Sequence, residues 1–167
     1  MVRRRLFNTI LVSLVGGISL IATAGCGQSE LDAQKIKDHE SDLRDNMRLV
    51  QIAAEHFAGA HGANTYPKNI DGDFKTYFRG GVEGKTPAVV GLVNPFTNVN
   101  EFPDLGTMAD PIAARSGPRF SLAPGKIQYC PLAGGKGYAI VGGAHDGKVL
   151  TDAYNPDQIL VLTNVTH

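Results

Sequence analysis

The chain has 167 residues, of which 43% are hydrophobic and 19% are charged, and its formal net charge is zero. This length and composition suit one globular domain together with an N-terminal targeting segment. Basic residues form no cluster after the N-terminus, which argues against a nucleic-acid partner, because phosphate neutralisation needs grouped lysines and arginines.

The N-terminus has the pattern of an export signal. Arg3, Arg4 and Arg5 precede an apolar run over residues 6–24. Positive residues before such a run stay in the cytoplasm, so the rest of the chain is expected to be exported. Removal of the signal leaves 13 basic and 16 acidic residues, which gives the mature chain a net charge of −3.

Small residues lead from the apolar run into a cysteine. The stretch Ala24-Gly25-Cys26 resembles a bacterial lipobox, in which the cysteine receives a diacylglyceryl group and the chain is cut just before it. Thr23 stands where leucine is usual in that motif. We therefore expect a signal peptide over residues 1–25, lipidation at Cys26, and a lipidated tether over residues 26–30 that makes the membrane a partner.

The expected location of the lipidated form is the bacterial cell envelope. Gly27 is not the aspartate that retains lipoproteins at the inner membrane, so the outer membrane is favoured if the cell has two. Two alternatives to lipidation stay open. An ordinary secretory cut near Ala22–Ala24 would release a soluble protein, and an uncut segment could span a bilayer, which needs about 20 apolar residues.

The mature chain begins with a helical pattern, which we place at residues 31–62. Ser29, followed three residues later by Asp32, resembles a capping box and indicates the start of the helix. Apolar residues then recur at helical spacing, which predicts one buried stripe with charged residues on the other faces. The stripe consists of Ile36, Leu43, Met47, Val50, Ala54 and Phe57.

Residues 63–125 form a loop-rich region. Prolines punctuate it, and the stretches 79–82 and 94–98 are typical of turns. A connection of this length in a small domain is expected to be a packed functional loop or an insertion rather than free coil.

Residues 126–167 are expected to form a sheet. Three β-rich runs, KIQYC, GYAIVGG and QILVLTN, are separated by turns, among which Asp146-Gly147 is a strong turn signal. Closely spaced strands of this kind predict a small C-terminal antiparallel β-meander. With one long N-terminal amphipathic helix packed on that meander, residues 31–167 are expected to form one α+β domain.

The order of these features resembles a known family. The helix NMRLVQIAAEHFAGAHG, then TYP, LVNPFTN, PGKIQYCP and GYAIVGGAHDGKVL, resembles type IV pilins and the major pseudopilins of type II secretion over roughly residues 45–164. The resemblance implies a pilin-like fold, a structural or interaction role, and pilin-like or secretion-system proteins as partners.

One feature of that family is missing from the sequence. Pilins carry a prepilin peptidase site, in which a glycine precedes Phe or Met with a glutamate four residues further on, directly before the helix that polymerises. Gly16, Gly17 and Gly25 are not followed by this pattern, and the first glutamate is Glu30. We therefore expect a pilin-like lipoprotein rather than a filament subunit.

Two other functions stay open. One is a lipid-anchored binding module for a small ligand or ion, using the region 67–125 over the sheet. The other is a filament subunit with an uncut N-terminal helix, which predicts a continuous helix from about Leu6 to Ala60. No nucleophile elbow, Ser/His/Asp grouping or carboxylate pair stands out in the sequence, so we expect no enzymatic activity.

The remaining cysteine and the histidines do not form a recognisable site in the sequence. Lipidation of Cys26 leaves Cys130 as a lone thiol, which we expect to be a small core residue. His56 and His61 are five residues apart and miss the i, i+4 spacing of a zinc motif. We therefore expect no cofactor and no metal, apart from one hypothesis that the family resemblance raises.

That hypothesis is calcium, because some major pseudopilins bind it in the loop before their last strand. The corresponding stretch of this chain holds Asp146, Asp152, Asn155 and Asp157. Hard oxygen ligands in a loop suit calcium, but the same residue types also make ordinary turns.

Melting the purified protein with and without EDTA tests the calcium hypothesis. If turns account for these four residues, the melting midpoint is the same in both conditions. A midpoint that falls on adding EDTA and recovers with added calcium would show that the ion is bound.

Overall fold

The computed structural model describes residues 24–80, 88–89 and 91–165. The helices are α1 Ala24–His61, α2 Gly72–Lys75 and α3 Pro111–Arg115. The strands are β1 Arg79–Gly80, β2 Ala88–Val89, β3 Leu92–Val93, β4 Asn100–Glu101, β5 Asp104–Leu105, β6 Ile127–Leu132, β7 Gly137–Gly142 and β8 Leu162–Thr163. One long helix with small sheets confirms the predicted α+β class.

Helix α1 begins at Ala24, seven residues before the predicted start. The predicted start at residue 31 was therefore wrong. Ser29 lies inside the helix rather than at its cap, and the stretch 26–30, predicted as a tether, is helical. The helix extends toward the N-terminus beyond Ser29 because no proline interrupts its backbone hydrogen bonds before His61. A capping residue contributes only about 1 kcal/mol and does not by itself fix where a helix starts. The other end agrees with the prediction, since Gly62 follows His61 with a φ of 104° that favours glycine.

The predicted stripe packs α1 against the sheet. Leu43, Met47, Val50 and Ala54 are buried, whereas Ile36 and Phe57 at the two ends of the stripe are only partly covered. Gly142 on β7 makes this approach possible, because a Cβ there would lie 2.8 Å from the Met47 sulfur. The amphipathic helix and its orientation toward the sheet are thus confirmed.

The main sheet has four strands in the order β5-β6-β7-β8. Strands β6, β7 and β8 pair antiparallel, as the meander prediction requires, and Cys130 lies opposite Ala139. The fourth strand, β5, pairs parallel to β6 and comes from the region expected to be loop. Its two residues, Asp104 and Leu105, are too few to show an alternating pattern in the sequence.

A second apolar layer covers the face of the sheet opposite α1. Ala114 of α3 and Met108, which precedes α3, pack against this layer. It consists of Leu122, Cys130, Leu132, Ala139, Val141, Val149, Ile159 and Val161. Because both faces are covered, every residue of β7 is buried.

Asn94 organises the loop-rich region and is 3% exposed. Its side-chain NH₂ donates to the Glu101 carboxylate at 2.7 Å and to the Pro124 carbonyl at 3.1 Å. Its Oδ1 accepts from the backbone amides of Phe96 at 2.9 Å and Thr97 at 3.3 Å. The turn predicted at 94–98 is confirmed, and one side chain ties it to β4 and to the entrance of β6.

The second predicted turn, at 79–82, is described only in part. Arg79 and Gly80 form β1 and pair antiparallel with Ala88 and Val89 of β2. Residues 81 and 82 lie outside the described part of the chain.

Replacing Asn94 by alanine should lower the free energy of unfolding by about 2–3 kcal/mol, because buried donors and acceptors lose their partners. Urea denaturation of the wild type and of Asn94→Ala measures the loss. The matched control is Asn155→Ala, which alters an exposed asparagine and should change stability by less than about 0.5 kcal/mol. Equal stability of both variants would contradict the role given to Asn94.

Candidate functional site

Before it reaches the body of the domain, helix α1 forms a polar arm, which we define as residues 24–38. All side chains from 29 to 35 are exposed, and from residue 29 onward Leu43 is the first buried residue of the helix. At 1.5 Å per residue, about 26 Å of helix separates position 26 from Leu43. The predicted lipidation site therefore lies in the first turn of the arm, although the Cys26 side chain is outside the described part of the structure.

The arm does not have the character of a membrane span. Charged residues occur throughout it, among them Glu30, Lys35 and Asp38. Within the described residues, no helix has the length and apolar content needed to cross a bilayer.

The four calcium candidates do not come together as a ligand set in the structure. Asp146 accepts two hydrogen bonds from Arg119, at 2.8 and 3.0 Å. The carboxylate of Asp152 accepts from the amides of Tyr154 and Asn155, as in an ordinary turn. Among the described residues, no group of three or more His, Cys, Asp or Glu side chains could hold a metal, so calcium stays a hypothesis for the EDTA experiment.

The Arg119–Asp146 ion pair alters the titration of the carboxyl group. Partial burial raises the pKa of Asp146, but hydrogen bonds from Arg119 and from the Lys148 amide outweigh burial and hold the pKa below its usual value. The pair joins the chain after α3 to the predicted Asp146-Gly147 turn, where Gly147 has a φ of 72°. The turn prediction is confirmed, and the arginine partner was not foreseen because it lies 27 residues away.

Three histidines make contacts between separate elements. The His61 ring stacks on Phe57 with centroids 4.0 Å apart, and its Nε2 lies 3.0 Å from the Asp73 carboxylate. His39 packs edge-on against Phe96. The Nδ1 of His145 lies 2.7 Å from Glu40 and so connects the turn after β7 to α1.

Cys130 is fully buried in β6. Burial raises the pKa of its thiol to about 11, so the reactive thiolate is scarce at neutral pH. The Sγ is also close to the backbone, since a Cβ on Gly106 would lie 2.7 Å from it. The expectation that Cys130 is a core residue is confirmed.

Glu55 binds two tyrosines, a contact that the sequence did not indicate. The Tyr138 hydroxyl donates to Glu55 at 2.6 Å, and the Tyr66 hydroxyl donates at 3.2 Å. Burial and the nearby carboxylate raise the pKa of Tyr138, which keeps its hydroxyl protonated as a donor. The cluster fastens α1 to β7 and to the chain after α1, so its role is structural.

An apolar groove with a volume of about 740 Å³ runs beside α1. Leu49 and Ile52 line it from the helix, and Val93 lines it from β3, each about half exposed. Tyr77 and Phe78 form the opposite wall. The groove was missed in the sequence because Leu49 and Ile52 lie off the stripe that faces the sheet.

None of three comparisons, with protein-family models, with curated proteins and with solved structures, finds a match for this chain. The fold and the site together define an α+β domain with a projecting polar helix and an apolar groove. Its likeness to pilins stays a prediction drawn from the order of the sequence motifs.

The Asp146 ion pair predicts a pH-dependent contribution to stability. A carboxyl group whose pKa is lower in the folded state stabilises above its unfolded pKa of about 3.9, and that contribution is lost as the pH falls through the folded pKa. Asp146→Asn should therefore cost about 0.5–1 kcal/mol at pH 7, a value that allows for the one-third exposure of the pair. At pH 2 the cost should vanish.

Urea unfolding midpoints at both pH values measure this difference. Asp157→Asn is the matched control, because Asp157 is an exposed acid in a neighbouring loop, and it should change the midpoint at neither pH. The same cost for Asp146→Asn at pH 7 and pH 2 would mean that the ion pair is not its source.

Proposed function

We propose that this protein is a non-enzymatic, pilin-like envelope lipoprotein with a structural or interaction role. Acylated Cys26 holds it on the membrane, and the α+β domain is displayed beyond the polar arm as an accessory to a type II secretion or type IV pilus system. The motif order LVNPFTN, PGKIQYCP and GYAIVGG supports the pilin-like part of the proposal.

The polar arm is the observation that carries the proposal. A lipid-anchored domain needs a spacer that is neither buried in the membrane nor folded into the body, and exposed residues 29–35 of a continuous helix meet that need. With Cys26 in the first turn, the arm holds the domain about 20 Å from the lipid, because His39 is the first residue of α1 for which a contact with the body is described. A helix keeps this distance more constant than a coil of equal length, because its rise per residue is fixed.

The strength of the anchor fits stable attachment. Each buried CH₂ contributes about 0.8 kcal/mol, so one acyl chain binds a bilayer only marginally, whereas several chains on one cysteine hold firmly. A diacylglyceryl group at Cys26 supplies at least two chains. Gly27 after the cysteine favours the outer membrane of a cell that has two.

A filament subunit with an uncut N-terminus is the alternative that one observation favours. Helix α1 already extends to Ala24, close to the apolar run over residues 6–24. That alternative predicts an intact Met1 and an unmodified Cys26, so a single experiment separates the two functions.

Metabolic labelling with an alkyne-tagged palmitate tests the lipoprotein proposal. The wild type should incorporate the tag, and Cys26→Ala should lose incorporation completely, because the acceptor thiol is gone. The matched control is Cys130→Ala, which removes the other cysteine of the chain and should label like the wild type.

Gel mobility of the same samples reports on processing. The Cys26→Ala chain should keep its signal segment and run as the longer precursor. Equal mobility and no label in the wild type and in Cys26→Ala would overturn the lipoprotein proposal. Mobility of the full-length precursor in both would favour the uncut alternative, and mobility of a shorter chain in both would favour an ordinary secretory cut.

A further inference from the structure

The apolar groove continues along α1 into a second hollow. The first hollow has a volume of about 740 Å³ and the second about 380 Å³, and both are lined by Asn46 and Val93. The Asn46 side chain donates to the Val93 carbonyl at 2.8 Å, and these two residues separate the two hollows. We call the two hollows together the α1 trough; along the helix it extends from His39 to His56, or about 26 Å.

The two ends of the α1 trough differ in chemistry. Leu49 and Ile52 make one end apolar, and both remain about half exposed, although Val50 and Ala53 beside them are buried. His39, Asp42 and Asp45 line the other end, and none of the described residues that line either hollow is a lysine or an arginine. Asp45 is paired with Arg48 at 2.9 Å, whereas Asp42 has no ion-pair partner among the described residues and supplies the negative charge.

We propose that the α1 trough is a docking surface for an amphipathic helical segment of a partner protein. The segment carries two or three aliphatic side chains at i, i+3 or i+4, and i+7, which fill the apolar hollow. A lysine or arginine one or two turns beyond them meets Asp42. The length of the trough corresponds to about five helical turns, which accommodates both parts.

Distance along the helix argues for a protein and against lipid as the occupant. Ile52 lies 26 residues beyond Cys26, which is about 39 Å of helix. A bilayer that holds an acylated Cys26 is therefore remote from the apolar hollow when the arm stands away from the membrane. This inference names a partner for the interaction role proposed above and rests on that role.

Fluorescence anisotropy tests the proposal with the full acylated chain in nanodiscs, and empty nanodiscs provide the blank. The probe is a fluorescein-labelled 18-residue helical peptide with leucines at i, i+3 and i+7 and two lysines in the following turns. A second peptide carries glutamates in place of the lysines. The lysine peptide should bind more tightly by about threefold or more at low salt, and added salt should reduce the difference.

Variants of the trough should separate its two parts. Leu49→Gln with Ile52→Gln should weaken binding of the lysine peptide by about tenfold or more, because both side chains lose apolar contact. Asp42→Asn should bring the affinities for the two peptides closer together. Leu105→Gln is the matched control, since Leu105 is 51% exposed on β5 and does not line the trough.

Four results would overturn the proposal. The first is no binding of the lysine peptide, and the second is an equal loss of peptide affinity in Leu105→Gln. The third is a melting temperature that falls by several degrees in the Leu49/Ile52 variant. The fourth is self-association of the chain that the Leu49/Ile52 variant abolishes. The third would show that the two side chains are packed within the molecule, and the fourth that a second copy is the occupant.

The two proposals can fail separately. An unlabelled Cys26 with intact peptide binding would overturn the lipoprotein proposal alone. Normal acylation without peptide binding would overturn the docking proposal alone.

Discussion

Close packing of α1 on β7 is the contact on which the remaining features depend. Gly142 leaves the space into which Met47 and Leu43 fit, and a larger residue there would have to displace the ends of these two side chains. Because this stripe holds one face of α1, the helix must expose its other faces. The first turns of α1 therefore project as a polar arm, and Leu49 and Ile52 face outward into the trough.

The helix and the meander could be predicted from the sequence because each depends on local periodicity. Leu43, Met47, Val50 and Ala54 recur at helical spacing, and the three β-rich runs lie close together with glycine turns between them. Asp146-Gly147 was likewise recognisable as a turn from two adjacent residues. These features follow from residues that are neighbours in the chain.

The features that were missed depend on residues far apart in sequence. Strand β5 pairs with β6 across more than twenty residues, and the Glu55–Tyr138 hydrogen bond joins positions 83 residues apart. The trough likewise forms where three parts of the chain meet, namely α1, β3 and the residues after α2. No single stretch of sequence therefore indicates it. The start of α1 was missed for a different reason. A capping pattern contributes less free energy than the continued backbone hydrogen bonds of an uninterrupted helix.

The proposed function places these features in one arrangement, in which lipid, arm and domain follow each other along a single helix. Intact-mass spectrometry of the native N-terminus tests that arrangement most directly, because it reads cleavage and modification at once. The account predicts a chain that begins at Cys26 and carries the mass of its acyl groups. A chain that begins at Met1, or one cut near Ala22–Ala24 with an unmodified Cys26, would contradict it.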